Sequence, residues 1–322
     1  MRQLFLILVA IWLPVFGQAG VRPVGAKAVE GQQSAALFVG IRDFGPSGKL
    51  SPVPYAIDDA VDLAYEFAMA QQPPLVPPDQ VVLALSEGEP RKRESRAKLS
   101  KLLAAGALRR RAQQAVILQL LDRQARRVGR NGILIVSLAT HGVSASGAQH
   151  LLAEGSLAEH YETAISINTI SEIVFGNDVA RALILIDACR ENLRRDRRAG
   201  EADARSRAAF IRVMTGVEGQ VVITGAAAGG YAYDNDVRGN GVFTAAVIDA
   251  LRCGAAKDHH GFVTVEKLYS YVSGQVLRWV RQNKNKRARR ATQLFCEGQM
   301  GKMPLSICRV SRTASASPPR SD

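Results

Sequence analysis

The stretch Gly132-Ile133-Leu134-Ile135-Val136-Ser137-Leu138-Ala139-Thr140-His141-Gly142 has a counterpart in Ala182-Leu183-Ile184-Leu185-Ile186-Asp187-Ala188-Cys189-Arg190. In each, a short unbroken apolar run gives way to a reactive side chain, His141 in the first and Cys189 in the second. Runs of this length, rich in branched residues and without polar alternation, predict strands buried on both faces of a parallel sheet. Functional groups in such sheets gather beyond the carboxyl ends of the strands, so the imidazole and the thiol are expected over a common cleft.

Working outward, Ala35 to Ile41, Val81 to Leu85 and Gln220 to Ala226 have the same compact apolar character and predict three more strands. Apolar residues recur at helical spacing from Tyr55 to Ala70, Val242 to Leu251 and Val265 to Val280, and Pro73 to Pro78 stops the first of these helices. Arg91 to Arg130 turns to arginine, alanine and leucine, which predicts one or two long basic helices broken near Gly106. Strands alternating with helices define an α/β protein, a three-layer α/β/α sandwich around a mainly parallel sheet.

The composition, 22% charged and 47% hydrophobic over 322 residues, is that of a globular chain long enough for one large core. A net charge of +13 implies attraction to polyanions. The basic stretch carries no interleaved aromatics to stack on bases, so a solvated helix face is favoured and no specific nucleic acid is expected as a partner. Arg2, the apolar run Leu4 to Phe16 and the small-residue stretch Gly17-Gln18-Ala19 read as a secretory signal peptide over residues 1–19, cleaved after Ala19. The run is short for a bilayer, so no stable membrane span is expected after cleavage, and the protein is expected in the periplasm or outside the cell. No cysteine follows the run, which leaves lipid attachment unsupported. Residues 20–34 read as a linker, 35–282 as the main domain, 283–310 as a basic C-terminal extension and 311–322 as a disordered tail. In an oxidising compartment Cys253, Cys296 and Cys308 have several ways to form one disulfide, each of which leaves Cys189 free.

A thiol needs a base to become a thiolate, and an imidazole of near-neutral pKa can take that proton and later deliver it to a leaving amine. Gly142, without a side chain, lets its amide approach a substrate carbonyl, and with the Cys189 amide would form an oxyanion hole. Taken singly these signals are modest, because a strand-end cysteine is more often a small buried hydrophobe and a lone histidine a structural residue.

In combination, Thr140-His141-Gly142 and Asp187-Ala188-Cys189-Arg190, separated by 48 residues from His141 to Cys189, resemble the caspase and metacaspase superfamily. Caspases have a similar spacing, about 50 residues. Leu37 to Ile41 followed by Ile57-Asp58-Asp59-Ala60 resembles the family's first strand and helix start, with Asp58 for the usual Asn. Asn240-Gly241-Val242-Phe243-Thr244 resembles the Gly-x-Phe-Thr turn of bacterial members. The resemblance covers about Ala35 to Val280. It implies a caspase-like fold and a cysteine endopeptidase with His141 and Cys189 as catalytic pair, acting on polypeptide substrates without metal or cofactor. Asp187 stands where metacaspases and paracaspases have Asp and caspases have Gln, and Asp59 matches a metacaspase pocket carboxylate. Two acids at a pocket base favour a basic side chain, so cleavage after Arg or Lys is expected. No arginine stands near Val53, where aspartate-specific caspases would carry one. For Asp59, an ordinary first-turn helix acid is an equal reading, and Asp187 alternatively caps backbone amides.

Thr140 and Glu191 depart from common family residues without removing a reactive group. Between Gly142 and Arg181 no adjacent Asp pair supplies the oxygen ligands calcium needs, so no metal is expected. His150, His160, His259 and His260 have no metal-ligand spacing. Arg194, Arg195, Arg197 and Arg198 fall where caspases are cut between subunits and are candidate self-cleavage sites, against the commoner reading of a solvated charge run. Tyr233 is a candidate substrate-binding residue, with a surface turn as its alternative. A catalytically silent caspase-like binding module and a basic polyanion-binding protein are the competing functions, and the sequence specifies no oligomeric state.

Overall fold

Two apolar strands, Ala35–Gly40 and Val81–Leu85, form early in the chain because each is too hydrophobic to face water on either side. In the computed structural model, which describes residues 31–45, 50–145, 148–157, 160–190, 220–225, 232–252, 261–285, 295–298 and 304–307, β1 is Ala35–Gly40 and is buried throughout. Helix α1 (Ala56–Ala68), β2 (Val81–Leu85), α2 (Arg93–Ala104), β3 (Leu108–Arg111) and α3 (Gln114–Arg127) follow. Then come β4 (Leu134–Ala145), β5 (Ala148–Leu151), β6 (Ile165–Ser166), α4 (Ile167–Gly176), β7 (Ala182–Arg190) and β8 (Gln220–Thr224). The two-residue strands β9 (Asp234–Asn235) and β10 (Asn240–Gly241) lead into α5 (Val242–Leu251), β11 (Phe262–Thr264) and α6 (Val265–Asn283). Strands β12 (Phe295–Gly298) and β13 (Pro304–Ile307) close the described chain.

The main sheet runs in the order β12-β8-β7-β4-β1-β2-β3. From β8 to β3 every pairing is parallel, and β12 is antiparallel to β8. Alternate strand residues divide into two cores. One packs Phe38, Leu83, Ile135, Leu185 and Ile223 against α1, α2, α5 and α6. The other packs Leu37, Val136, Ile184 and Val222 against α3 and α4. The expected α/β/α sandwich around a mainly parallel sheet is therefore the observed architecture.

The chain passes outward from β1 to β2 and β3, then returns to lay β4 on the other side of β1. That reversal makes the β1/β4 junction the switch point, where the loops after neighbouring strands diverge and leave a crevice. Gly40 at the end of β1 brings α1 close to it, since a Cβ there would sit 2.4 Å from the Ala56 carbonyl oxygen. The first turn of α1 is thereby held over the carboxyl end of the sheet.

Three expectations are corrected. Leu108–Arg111, read as part of a basic helical region, is an edge strand parallel to β2. An edge tolerates arginine because one side of the ladder faces solvent, so the apolar signature is weak there. The strand carrying His141 does not end at Gly142 but continues to Ala145 and turns back as β5. The stretch read as a C-terminal extension supplies β12 to the main sheet and β13, which pairs with β11. The signal peptide, Arg194, Arg195, Arg197, Arg198, Cys253, Cys308 and the tail fall outside the described residues.

Candidate active site

Parallel pairing of β4 with β7 sets the site. The register aligns Ala139 with Asp187, His141 with Cys189 and Gly142 with Arg190, so the two reactive positions 48 residues apart in sequence are direct cross-strand neighbours. Gly142 lies inside the ladder between Arg190 of β7 and Leu151 of β5.

His141 is 6% exposed and its orientation is fixed on two sides. Its ring stacks on Phe44, with centroids 5.1 Å apart and planes 21° from parallel. Its Nε2 lies 2.7 Å from the carbonyl oxygen of Ser51. A carbonyl only accepts, so Nε2 carries a hydrogen in this bond, which leaves Nδ1 as the ring position that can bind or release the second proton. Phe44 and Ser51 belong to the segment after β1, so the switch point itself orients the base. Neither residue was singled out in the sequence. A backbone carbonyl has no residue-type signature, and Phe44 reads as one more apolar side chain.

Beside this pair, a narrow, open cleft is lined by Val53, Asp59, Ala139, Thr140, Asp187, Ala232, Tyr233, Asp234 and Gly241. Asp59, Asp187 and Tyr233, all expected from sequence, meet here. Asp187 Oδ2 accepts from the Thr244 hydroxyl at 2.9 Å and from its amide at 3.3 Å. Asp59 accepts from Asn240 Nδ2 at 2.8 Å and, through both oxygens, from the Gly241 amide at 3.1 Å. Asp187 thus does cap an amide, as its alternative reading had it, and Asp59, in the first turn of α1, does the same, while both face one cleft.

Gly241 is what allows this closeness. A Cβ at that position would lie 2.5 Å from Asp187 Oδ2 and 3.1 Å from Asp59 Oδ2. Its φ of −57° is open to any residue, so space alone demands glycine. Burial, helped by the neighbouring Asp187 charge, pushes the Asp59 carboxyl well above its ordinary range. Burial, and then the charge of Asp234, raises the Asp187 carboxyl to about 6. Asp234, a third acid at the cleft, is likewise raised, by lost solvation first and by Asp236 next, while His141 opposes the rise. An apolar side chain would not neutralise this cluster. A cationic side chain entering it would.

The acids of α1 explain how so polar a helix is buried. Asp58 anchors the approach to α2 by accepting from the amides of Arg91 (2.9 Å) and Lys92 (2.8 Å). Asp62 accepts from Lys92, Lys98 and Ser95, and Glu66 pairs with Arg252. Burial disfavours the Asp62 charge, yet the two ammonium groups hold its carboxyl below the ordinary range. Tyr233, at the cleft, stacks loosely on Trp279 with centroids 5.8 Å apart, and the Lys284 ammonium sits over both rings at 4.9 and 5.3 Å. Among the described residues no cluster of three or more His, Cys, Asp or Glu side chains suits a metal ion, and no helix is long and apolar enough to cross a membrane.

A histidine and a cysteine position paired across two parallel strands, beside the switch point of this sheet, is the layout of a caspase-like fold. The chain belongs to the caspase-domain family, whose model matches residues 33–301, and that family is one of cysteine peptidases. Among solved structures it is similar to caspase-1 from Spodoptera frugiperda, at 13% identity and a TM-score of 0.54, covering 94% of this chain and 99% of that one. It is also similar to a protein from Geobacter sulfurreducens, at 13% identity and a TM-score of 0.51, covering 86% of this chain and all of that one. At such identity these likenesses speak for the fold alone. No curated protein matches the sequence.

Proposed function

We propose that the protein is an active cysteine endopeptidase that cleaves polypeptides after Arg or Lys. One observation carries this reading: the β4–β7 register that sets His141 beside Cys189 next to a cleft floored by Asp59 and Asp187. In the proposed reaction His141 Nδ1 takes the thiol proton of Cys189, and the thiolate sulfur attacks the scissile carbonyl carbon. The carbonyl oxygen becomes an oxyanion met by the amides of Gly142 and Cys189. His141 then returns the proton to the leaving amine as the C–N bond breaks, leaving a thioester on Cys189. Water, deprotonated by the same imidazole, hydrolyses the thioester and restores the thiol. The Ser51 carbonyl favours this use of His141, because it holds the Nε2 hydrogen and stabilises the imidazolium that forms in each half.

The basic preference follows from charge. Asp59 and Asp187 crowd each other around Gly241, and a guanidinium or ammonium entering between them relieves that crowding while gaining charge-assisted hydrogen bonds. An acidic substrate side chain would add a further negative charge to the same space. The test is an arginyl peptide carrying a thiol-reactive electrophile in place of the scissile bond. Intact-mass analysis should show one adduct, mapped to Cys189, and the aspartyl analogue should give none; equal labelling by both would refute the assigned preference.

We also propose that the chain is exported, on the strength of Arg2 and the apolar run Leu4 to Phe16. A mature N-terminus beginning at Gly20 in an extracytoplasmic fraction would support it, and retention of Met1 in a soluble cytoplasmic form would oppose it. The arginines 194, 195, 197 and 198 suit the same specificity, which makes self-cleavage a corollary. Intact chain persisting for hours with active enzyme would argue against it.

A further inference from the structure

Behind the cleft floor a chain of polar groups links α2 to Asp59. Lys92 Nζ donates to Asn240 Oδ1 at 2.5 Å and to Asp62. An ammonium has no lone pair to offer, so the amide oxygen, not the amide nitrogen, must face it. The Asn240 NH2 is thereby turned to Asp59 Oδ1 at 2.8 Å and Asp62 Oδ2 at 3.1 Å. That NH2 only donates, so Asp59 Oδ1 must accept.

We propose that Lys92 and Asn240 form a polarity relay that holds Asp59 as a hydrogen-bond acceptor facing the cleft, and so tunes the pocket for a cationic substrate side chain. Both are positioning residues that act through Asp59, and the proposal rests on reading the cleft as a basic-residue pocket. Lys92 is not required merely to neutralise Asp62, which also accepts from Lys98 Nζ at 2.9 Å and Ser95 Oγ at 2.9 Å. Its second bond, to Asn240, has no counterpart from Lys98.

The relay matters because Asp59 is otherwise pressed toward its neutral form. Asp187 on β7 faces it, Asp62 lies on its own helix, and burial removes water from it. The Asn240 and Gly241 donors oppose those effects. Around this group, Lys92 just before α2 and Lys98 within it answer Asp62, while Arg91, His141 and Lys284 act on Asp234 across the cleft. With Lys92 gone, the amide is released to turn and offer its oxygen to Asp59. A carboxyl facing an amide oxygen is stabilised by keeping its proton, which cancels the attraction for a substrate cation.

The test measures kcat and KM against pH for an arginyl peptide, with thermal unfolding recorded on each variant. Lys92→Met keeps the aliphatic stem and leaves Lys98 and Ser95 on Asp62. Its KM at neutral pH should rise about tenfold, and the acidic limb of kcat/KM should move up by roughly one pH unit, with kcat nearly unchanged. Lys92→Arg, which also can only donate, should restore the wild-type limb. Asn240→Ala removes the second half of the relay while keeping the Lys92–Asp62 pair, and serves if Lys92→Met does not fold; it should shift the limb in the same direction. A folded Lys92→Met or Asn240→Ala protein with the wild-type limb and KM would overturn the relay. Absence of arginyl turnover by the wild type would instead sink the pocket reading, and the relay with it.

Discussion

Asp187 shows what the sequence conveyed about a single residue and what it withheld. Its place two residues before Cys189 marked it as a pocket acid, but its Thr244 partners arrive from 57 positions later in the chain. With a folded pKa of about 6 against an ordinary 3.8, its carboxyl binds more protons in the folded state than in the unfolded one. Its contribution to stability is therefore full below about pH 3.8 and lost as pH rises to about 6. Asp187→Asn, whose amide oxygen can still accept from Thr244, should stabilise the protein by roughly 3 kcal/mol above pH 6, with the gain vanishing near pH 4. Calorimetry from pH 4 to 8 would check this, and a gain independent of pH would contradict it. Gly241→Ala tests space rather than charge. Its Cβ would press on Asp187 Oδ2 at 2.5 Å, so kcat/KM for arginyl peptides should fall at least tenfold, with about 1–3 kcal/mol of stability lost by overpacking. His141 and Cys189 were legible because each follows an unbroken apolar run as its first reactive side chains appear, although β4 continues past His141 to Ala145. Ser51, Asn240 and Lys92 were not, because a carbonyl, an amide and an ammonium gain their roles only from the long-range contacts the fold supplies.

Among the elements, the buried parallel strands were the easiest to read, since burial on both faces leaves no polar alternation. Helix α5 also matches its expected bounds, Val242–Leu251. The edges of the sheet escaped notice. Leu-Arg-Arg-Arg in β3 resembles a solvated helix face, and β12 is a four-residue strand within a basic stretch. Yet β12 covers the open side of β8 along the register Phe295 to Gly298 against Thr224 to Val221. A chain ended at residue 290 should therefore leave β8 as a bare edge, melt several degrees lower and self-associate on gel filtration. An unaltered melting temperature and a monomeric profile would show β12 to be dispensable. In α1, the acids at 58, 62 and 66 drew no reading from the sequence, yet all are buried against partners at the start of α2 and just after α5.

At the scale of the whole molecule, a chain of net charge +13 carries an acidic cleft, so its surface and its site attract opposite partners. An anionic polymer should bind with an affinity that falls steeply with salt, equally to wild type and Cys189→Ala, and should leave cleavage of a short arginyl peptide unaffected. Competition between polymer and peptide would place the polyanion in the cleft and favour the binding-protein reading. Family membership rests on the length of the match, residues 33–301, while the proposed activity is argued from His141, Cys189 and the acidic floor. The most direct test is turnover of fluorogenic peptides bearing Arg, Lys, Asp or Asn before the leaving group, by wild type and Cys189→Ala. Release is expected from the Arg and Lys peptides alone, falling at least a thousandfold, on the order of the usual contribution of a lost nucleophile, in Cys189→Ala. Turnover of the Asp peptide alone, or equal rates in both proteins, would contradict the proposed activity.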